Sequence, residues 1–141
     1  MSDPVAIARS WLGTPYVHQA SQKGAGTDCL GLIRGIWREL YGSEPIVPPP
    51  YSADWDEVQG AEVLWQAAKQ HLRPTDDIWV EGQVLLFRMR THSVAKHLGI
   101  LVGPPDAHTF IHAFAKHGVV ESSLSTPWRR RVVARFNFKE A

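Results

Sequence analysis

The hydrophobic pattern of this chain changes its period once, and that change limits the fold more than any other feature. Up to Leu72, apolar residues recur at three- and four-residue intervals; beyond Pro74 they fall in short runs rich in β-branched and aromatic side chains. The two periods belong to different backbones, because a helix turns every 3.6 residues and a strand alternates every two. Val5, Ala8, Trp11 and Leu12 follow Asp3-Pro4 and precede Gly13, which predicts a capped helix at the start of the chain. Leu32, Ile33, Ile36, Trp37 and Leu40 predict a second helix from Asp28 to about Tyr41, stopped by Gly42. Val58, Ala61, Trp65, Ala68 and Leu72 predict a third over residues 56–72, ended by Pro74. Strands are expected at residues 84–89, 98–102, 109–114, 119–122 and 132–138, separated by turn signals such as Gly103-Pro104-Pro105-Asp106. Helices first and strands second indicate an α+β fold, with N-terminal helices packed on a C-terminal antiparallel sheet.

The punctuation between these segments is clear. Residues 13–27 carry Gly, Pro and Ser without a sustained period and are expected to form a loop. Residues 43–54, with Pro45 and Pro48-Pro49-Pro50, are expected to be a semi-rigid, partly polyproline-like connection; recognition by an SH3-type domain is the weaker reading of so short a run. A length of 141 residues fits a single domain over 1–141. A formal charge of +1 gives no electrostatic case for nucleic acid, and the run Arg129-Arg130-Arg131 is expected in a solvated strand or loop, with binding to an anionic polymer the less favoured use. One cysteine permits no internal disulfide. No apolar stretch approaches a membrane span, and Met1-Ser2-Asp3-Pro4-Val5-Ala6 lacks the pattern of a secretory leader. A protein of this kind acting outside the cytoplasm is expected to be carried there by something else.

Three side chains stand out chemically. Cys29 is expected one residue into the second helix, where unpaired N–H groups and the helix dipole favour a thiolate; a lone cysteine is otherwise most often a small buried hydrophobe. His97 opens the apolar run that ends at Gly103, and His112 lies inside Phe110-Ile111-His112-Ala113-Phe114. Each taken singly reads as a core histidine bonded to a carbonyl. On two adjacent antiparallel strands, opposite a helix-start cysteine, one imidazole can take the thiol proton and the other can orient it. Among the other five histidines, His18 lies in the loop before the helix and could line a cleft, and His71 suits a helix end. His92, His108 and His117 are expected in solvated turns. No C-x-x-C or H-E-x-x-H pair is present, so neither a metal nor another cofactor is expected.

Five fragments in order resemble the NlpC-like cell-wall peptidases, a papain-related family that cuts the peptide stems of peptidoglycan. They are Gly13-Thr14-Pro15-Tyr16, Asp28-Cys29-Leu30-Gly31-Leu32, the run from Glu81 to Phe87, His97-Leu98-Gly99-Ile100 and Phe110-Ile111-His112-Ala113. The resemblance implies a papain-like fold, Cys29 as nucleophile, His97 as general base and His112 as the residue that orients it, with the Cys29 N–H helping to hold the oxyanion. It places Tyr16 beside the thiol and the substrate stem, although simple loop packing explains a tyrosine there equally well. Asp28 is expected to act either on the substrate's amino group or on the helix's own N–H groups. Two departures, Leu30 after the cysteine and Val17-His18-Gln19 after the tyrosine, fall where many relatives read the free end of a stem.

The implied activity is hydrolysis of stem peptides, at the bond between D-glutamate and the diamino acid. The stretch from Asp28 to Gly35, the Pro-rich segment and Tyr51 also resemble the short stand-alone peptidases encoded among tail genes of phages and gene transfer agents. That subtype implies tail-tip or hub proteins as partners, residence in a virion-like particle and action in the periplasm of a target cell. Two alternatives remain open. One is a structural hub or plug subunit, with Trp55, Trp79, Trp128 and the arginine run serving an interface. The other is a Cys/His acyltransferase, disfavoured because no membrane-anchoring segment accompanies the domain.

Overall fold

A computed structural model describes residues 3–45 and 62–139. Asp3 caps the first helix, α1 (Pro4–Ser10), by accepting the Val5 N–H at 3.0 Å, and Pro4 occupies the first turn where no N–H is needed. Helix α2 (Cys29–Tyr41) begins at Asp28 and stops at Gly42, whose φ of 90° suits glycine. The described part of the third helix, α3, runs Val63–His71; residues 56–61 of the expected span lie outside the described residues, as do Pro48-Pro49-Pro50, Tyr51 and Trp55.

Three segments differ from expectation. The loop over residues 13–27 contains a two-residue hairpin, β1 (Ser21–Gln22) with β2 (Gly26–Thr27), closed by Ala25 N–H donating to the Gln22 carbonyl at 3.0 Å. The α3 helix ends before Pro74, and Arg73–Pro74 becomes a short edge strand, β3, a position that tolerates proline because one side of the strand is unpaired. The arginine run is neither strand nor loop. Pro127 pre-sets the helical φ after Ser125, and Arg129 and Arg130 end a helix, α4 (Thr126–Arg130).

The remaining strands are β4 (Val84–Phe87), β5 (His97–Val102), β6 (Thr109–Phe114), β7 (Gly118–Ser123) and β8 (Val132–Asn137). They form one antiparallel sheet in the order β3-β8-β4-β5-β6-β7. Val84, Leu86, Leu98, Ile100 and Ile111 face the helices and join Trp11, Leu32 and Ile36 in the main core. Leu85, Phe87, Leu101 and Phe110 face the other way and form a second core with Leu124, against which Trp128 of α4 packs. Both faces of β4 and β5 are thus covered, so these strands read as unbroken apolar runs rather than alternating ones. Each such side chain removed from water contributes roughly 1.5–3 kcal/mol.

The α1–α2 crossing depends on a missing side chain. A Cβ on Gly35 would stand 2.0 Å from Cζ2 of Trp11, whose indole N–H donates to Glu39 at 2.9 Å and holds the ring in place. Gly35→Ala is therefore expected to lower unfolding free energy by about 1–3 kcal/mol, read as a reduced urea midpoint at unchanged slope.

Candidate active site

The loop before α2 and the start of that helix are tied together by one carboxylate. Asp28 is buried; its Oδ1 accepts the Gly31 N–H at 2.7 Å and its Oδ2 accepts the Gln19 N–H at 2.7 Å. Of the two roles expected for Asp28, the structure shows the helix-capping one. His18 Nδ1 stands 3.8 Å from the same Oδ2, at the exposed mouth of the loop. Tyr16 is bridged to Thr27 and half-buried; burial pushes its hydroxyl up to about 12, with the neighbouring Cys29 and Asp28 adding to the rise.

Cys29, the first residue of α2, meets the sheet where two strands part. Pairing of β4 with β5 covers His97 to Ile100, whereas pairing of β5 with β6 stops at Ile100 and Ile111. The β5 main chain before Ile100 has no register partner on β6, and Cys29 meets it there. Its Sγ donates to the Lys96 carbonyl at 3.5 Å, and the Leu98 N–H is directed back at the sulfur. The thiol therefore rests on the backbone immediately either side of His97.

His97 and His112 are 7% and 0% exposed, and they are bonded to each other, His97 Nε2 to His112 Nδ1 at 2.7 Å. A side chain at Gly99 would crowd β6: a Cβ there would lie 3.0 Å from the Phe110 ring and 3.2 Å from the Ile111 carbonyl oxygen. His112 Nε2 in turn bonds Ser122 Oγ at 2.9 Å. Trp128 covers the pair, with ring centres 6.0 Å from His97 and 5.3 Å from His112. That residue, considered from sequence for a docking surface, packs on the histidines. Trp79 lies between the guanidinium groups of Arg129 and Arg135, 3.9 and 4.5 Å from its ring centre.

Ser122 was missed in the sequence because it ends a strand whose outer positions look solvated. The register contains the missing signal: Ser122 is opposite Phe110, so it is the diagonal neighbour of His112, which is opposite Val120. Two proton arrangements satisfy the chain of bonds. In one, His97 Nε2–H donates to His112, and His112 Nε2–H donates to Ser122. The other reverses both. Only the first leaves His97 Nδ1 with a lone pair to accept a proton.

Electrostatics differ from the sequence expectation in one respect. The N–H groups of Leu98, Leu30 and Cys29 do favour the thiolate, but burial outweighs them and, with the Asp28 carboxylate adding to it, pushes the thiol up to about 12. Burial lowers His97 to about 3, with His112 contributing, and lowers His112 to about 4, with His117 contributing. The resting site is thus a neutral thiol beside neutral imidazoles. His108 also departs from expectation: both its ring nitrogens are shielded from solvent with no hydrogen-bond partner among the described residues, and burial followed by Arg129 lowers its pKa. Among the described residues, no group of three or more His, Cys, Asp or Glu could hold a metal ion, and no helix is long and apolar enough to cross a membrane.

Residues 13–136 match the model of the NlpC/P60 family, a span that contains all five fragments and the whole site. The chain belongs to the NlpC/P60 family. A gamma-DL-glutamyl hydrolase of Bacillus subtilis (strain 168) is 29% identical over 136 residues, covering 94% of this chain and 29% of that protein. An NlpC/P60 family protein from Bacillus cereus ATCC 10987 superposes with a TM-score of 0.64 at 20% identity, over 96% of this chain and 39% of that one. A lipoprotein-like member of the family from Staphylococcus aureus Mu50 gives 0.60 at 18%, over 98% and 41%. The chain thus spans well under half the length of these relatives, and the two structures establish the papain-like NlpC/P60 fold.

The neutral site makes stability depend on pH at both ends. His97 and His112 titrate below their usual 6.5, so the unfolded chain binds more protons as pH falls, and their contribution, complete above about 6.5, is lost toward 3–4. Cys29 titrates above its usual 9.0, so its contribution is complete below 9.0 and lost as pH rises toward 12. Thermal midpoints are expected to decline on both sides of that plateau. In Cys29→Ala the alkaline decline should be smaller.

Proposed function

We propose that this chain is a cysteine endopeptidase that hydrolyses peptidoglycan stem peptides at a γ-glutamyl bond, that between D-glutamate and the diamino acid. The observation that carries the reading is the seat of Cys29 on the main chain flanking His97, with His97 linked through His112 to Ser122. Membership of the NlpC/P60 family and the relative named as a gamma-DL-glutamyl hydrolase support a hydrolase of glutamyl peptides.

In this mechanism His97 takes the proton of the Cys29 thiol as sulfur attacks the scissile carbonyl carbon. The Cys29 N–H, at the start of α2, donates to the oxygen that becomes negative. Imidazolium His97, the form that burial disfavours, then passes the proton to the leaving amine as the C–N bond breaks. Water, deprotonated by His97, then cleaves the thioester, releasing the acid and restoring the thiol. His112 and Ser122 accommodate the tautomer this requires. No step calls for a metal or an organic cofactor. Tyr16 and His18, beside the thiol and at the loop mouth, are placed to meet the substrate.

Carriage by a phage-like tail, docking on its hub proteins and action in a target cell's periplasm rest on the sequence pattern of residues 28–35, the Pro-rich segment and Tyr51, and form the delivery part of this proposal.

Purified sacculi incubated with the wild type are expected to release stem fragments whose masses identify the bond cut. Cys29→Ala and His97→Ala should release none while retaining the circular dichroism of the parent. Full release by Cys29→Ala would sink the reading. Ser122→Ala removes one hydrogen bond worth about 1 kcal/mol and is expected to lower kcat roughly fivefold with KM unchanged.

A further inference from the structure

The chain from Arg88 to Lys96, between β4 and β5, has no regular structure, yet it ends on the carbonyl that receives the Cys29 thiol. The β4–β5 ladder reaches back to Phe87 and His97, and the Lys96 N–H closes the loop by donating to the Phe87 carbonyl at 3.1 Å. Ala95, one residue earlier, is fully buried, and its N–H lies outside the ladder. A buried N–H needs an acceptor. This one finds it on a different element: Oε1 of Glu62, at 2.8 Å.

Glu62 stands at the N-cap of α3, but its side chain makes no capping bond to that helix. Both carboxylate oxygens are turned to the loop instead. Oε2 accepts from Nη2 of Arg88 at 2.6 Å, and Nε of Arg88 donates to the Ser93 carbonyl at 2.8 Å. The Arg88 guanidinium also lies 6.0 Å from the ring centre of Trp65, on α3, and the Arg88 main-chain N–H donates to the Arg131 carbonyl at 2.8 Å. A planar, charged fork fixes the orientation of a carboxylate as a single neutral donor does not. One carboxylate therefore ties the start of the loop, at Arg88, and its end, at Ala95, to α3. Lys96 follows directly, so this tie and the seat of the thiol are one peptide apart.

The thiol proton must leave that seat before it can reach His97. At rest the S–H is directed at the Lys96 carbonyl, 3.5 Å from the sulfur. A displaced carbonyl would hold the S–H in another direction, and misplacing a reacting group by about 1 Å can cost roughly 10²-fold in rate.

We propose that Glu62 is a positioning residue for Cys29: through the Ala95 N–H and the Arg88 guanidinium it sets the Lys96 carbonyl on which the thiol rests. Its effect on turnover rests on the peptidase reading; its effect on the thiol does not.

Because the chain has one cysteine, the S–H stretching band in Raman spectra of the full-length protein reports this hydrogen bond alone. Donation to a carbonyl lowers the frequency of that band. In Glu62→Ala the band is expected to rise toward the position of an unbonded thiol. With a soluble stem peptide as substrate, kcat should fall on the order of tenfold at unchanged KM. Glu62→Gln keeps an acceptor for Ala95 and loses the ion pair; smaller changes of the same sign are expected, and this variant decides the matter if Glu62→Ala does not fold. Arg9→Ala breaks an ion pair between α1 and β7, Arg9 to Glu121 at 3.0 Å, and should leave the band and kcat at wild-type values. A band unmoved in the Glu62 variants, a fall in kcat without a band shift, or an equal shift in Arg9→Ala would each overturn the assignment. Wild type that cuts nothing, with the band still moved by the Glu62 substitutions, ends the peptidase reading and leaves Glu62 as the group that seats the thiol. An active wild type whose band is the same in every variant does the reverse.

Discussion

The site depends first on where Asp28 puts its two oxygens. One closes the first turn of α2 by accepting from Gly31, and the other fastens the preceding loop by accepting from Gln19. Together they fix the angle at which Cys29 leaves the loop and enters the helix. Without that cap the helix start would lose a contribution of about 1 kcal/mol, and the thiol would lose its alignment with the β5 backbone. The same carboxylate adds to the rise in the thiol pKa, so the group that positions Cys29 also helps to keep it protonated at rest.

That protonated, partly buried state sets the rest of the electrostatics. A thiolate in this seat would be a charge taken from water, and the N–H groups of the helix start do not offset the loss. The histidines answer the same constraint by remaining neutral and bonding to each other, and Ser122 satisfies the last ring nitrogen of that chain. In the proposed mechanism charge arises only when a substrate is attacked, close to donors already in place. Trp128 and Phe110 wall the histidines from solvent, which preserves the low polarity on which this balance rests.

Much of the fold was legible in advance because its signals are local. Asp3-Pro4, the apolar face of α2, Gly42 and the runs at residues 84–87, 97–102 and 109–114 each announce an element without help from the rest of the chain. Cys29, His97 and His112 were legible by their places on such elements. The segments that differed are those in which short-range rules compete. Pro74 can end a helix or lie on an edge strand, and only pairing with β8 decided between them. Pro127 could open a turn as readily as a helix, and packing of Trp128 on the second core favours the helix that became α4.

What the sequence by itself determined is the inventory and its order: a capped helix with a cysteine at its start, then apolar strands with histidines at His97 and His112. What only the tertiary structure decided is register and approach. The β5–β6 ladder covers Ile100 to Val102 and leaves the backbone before it for the sulfur; neighbouring β5 and β6 bring the two imidazoles together; and the β6–β7 register brings Ser122 to His112. Each of these joins residues distant in the chain, and a propensity describes a residue with its neighbours along the backbone. Burial follows the same division. The type of each side chain at the site was plain from the start, but the cost of charging it depended on what came to surround it.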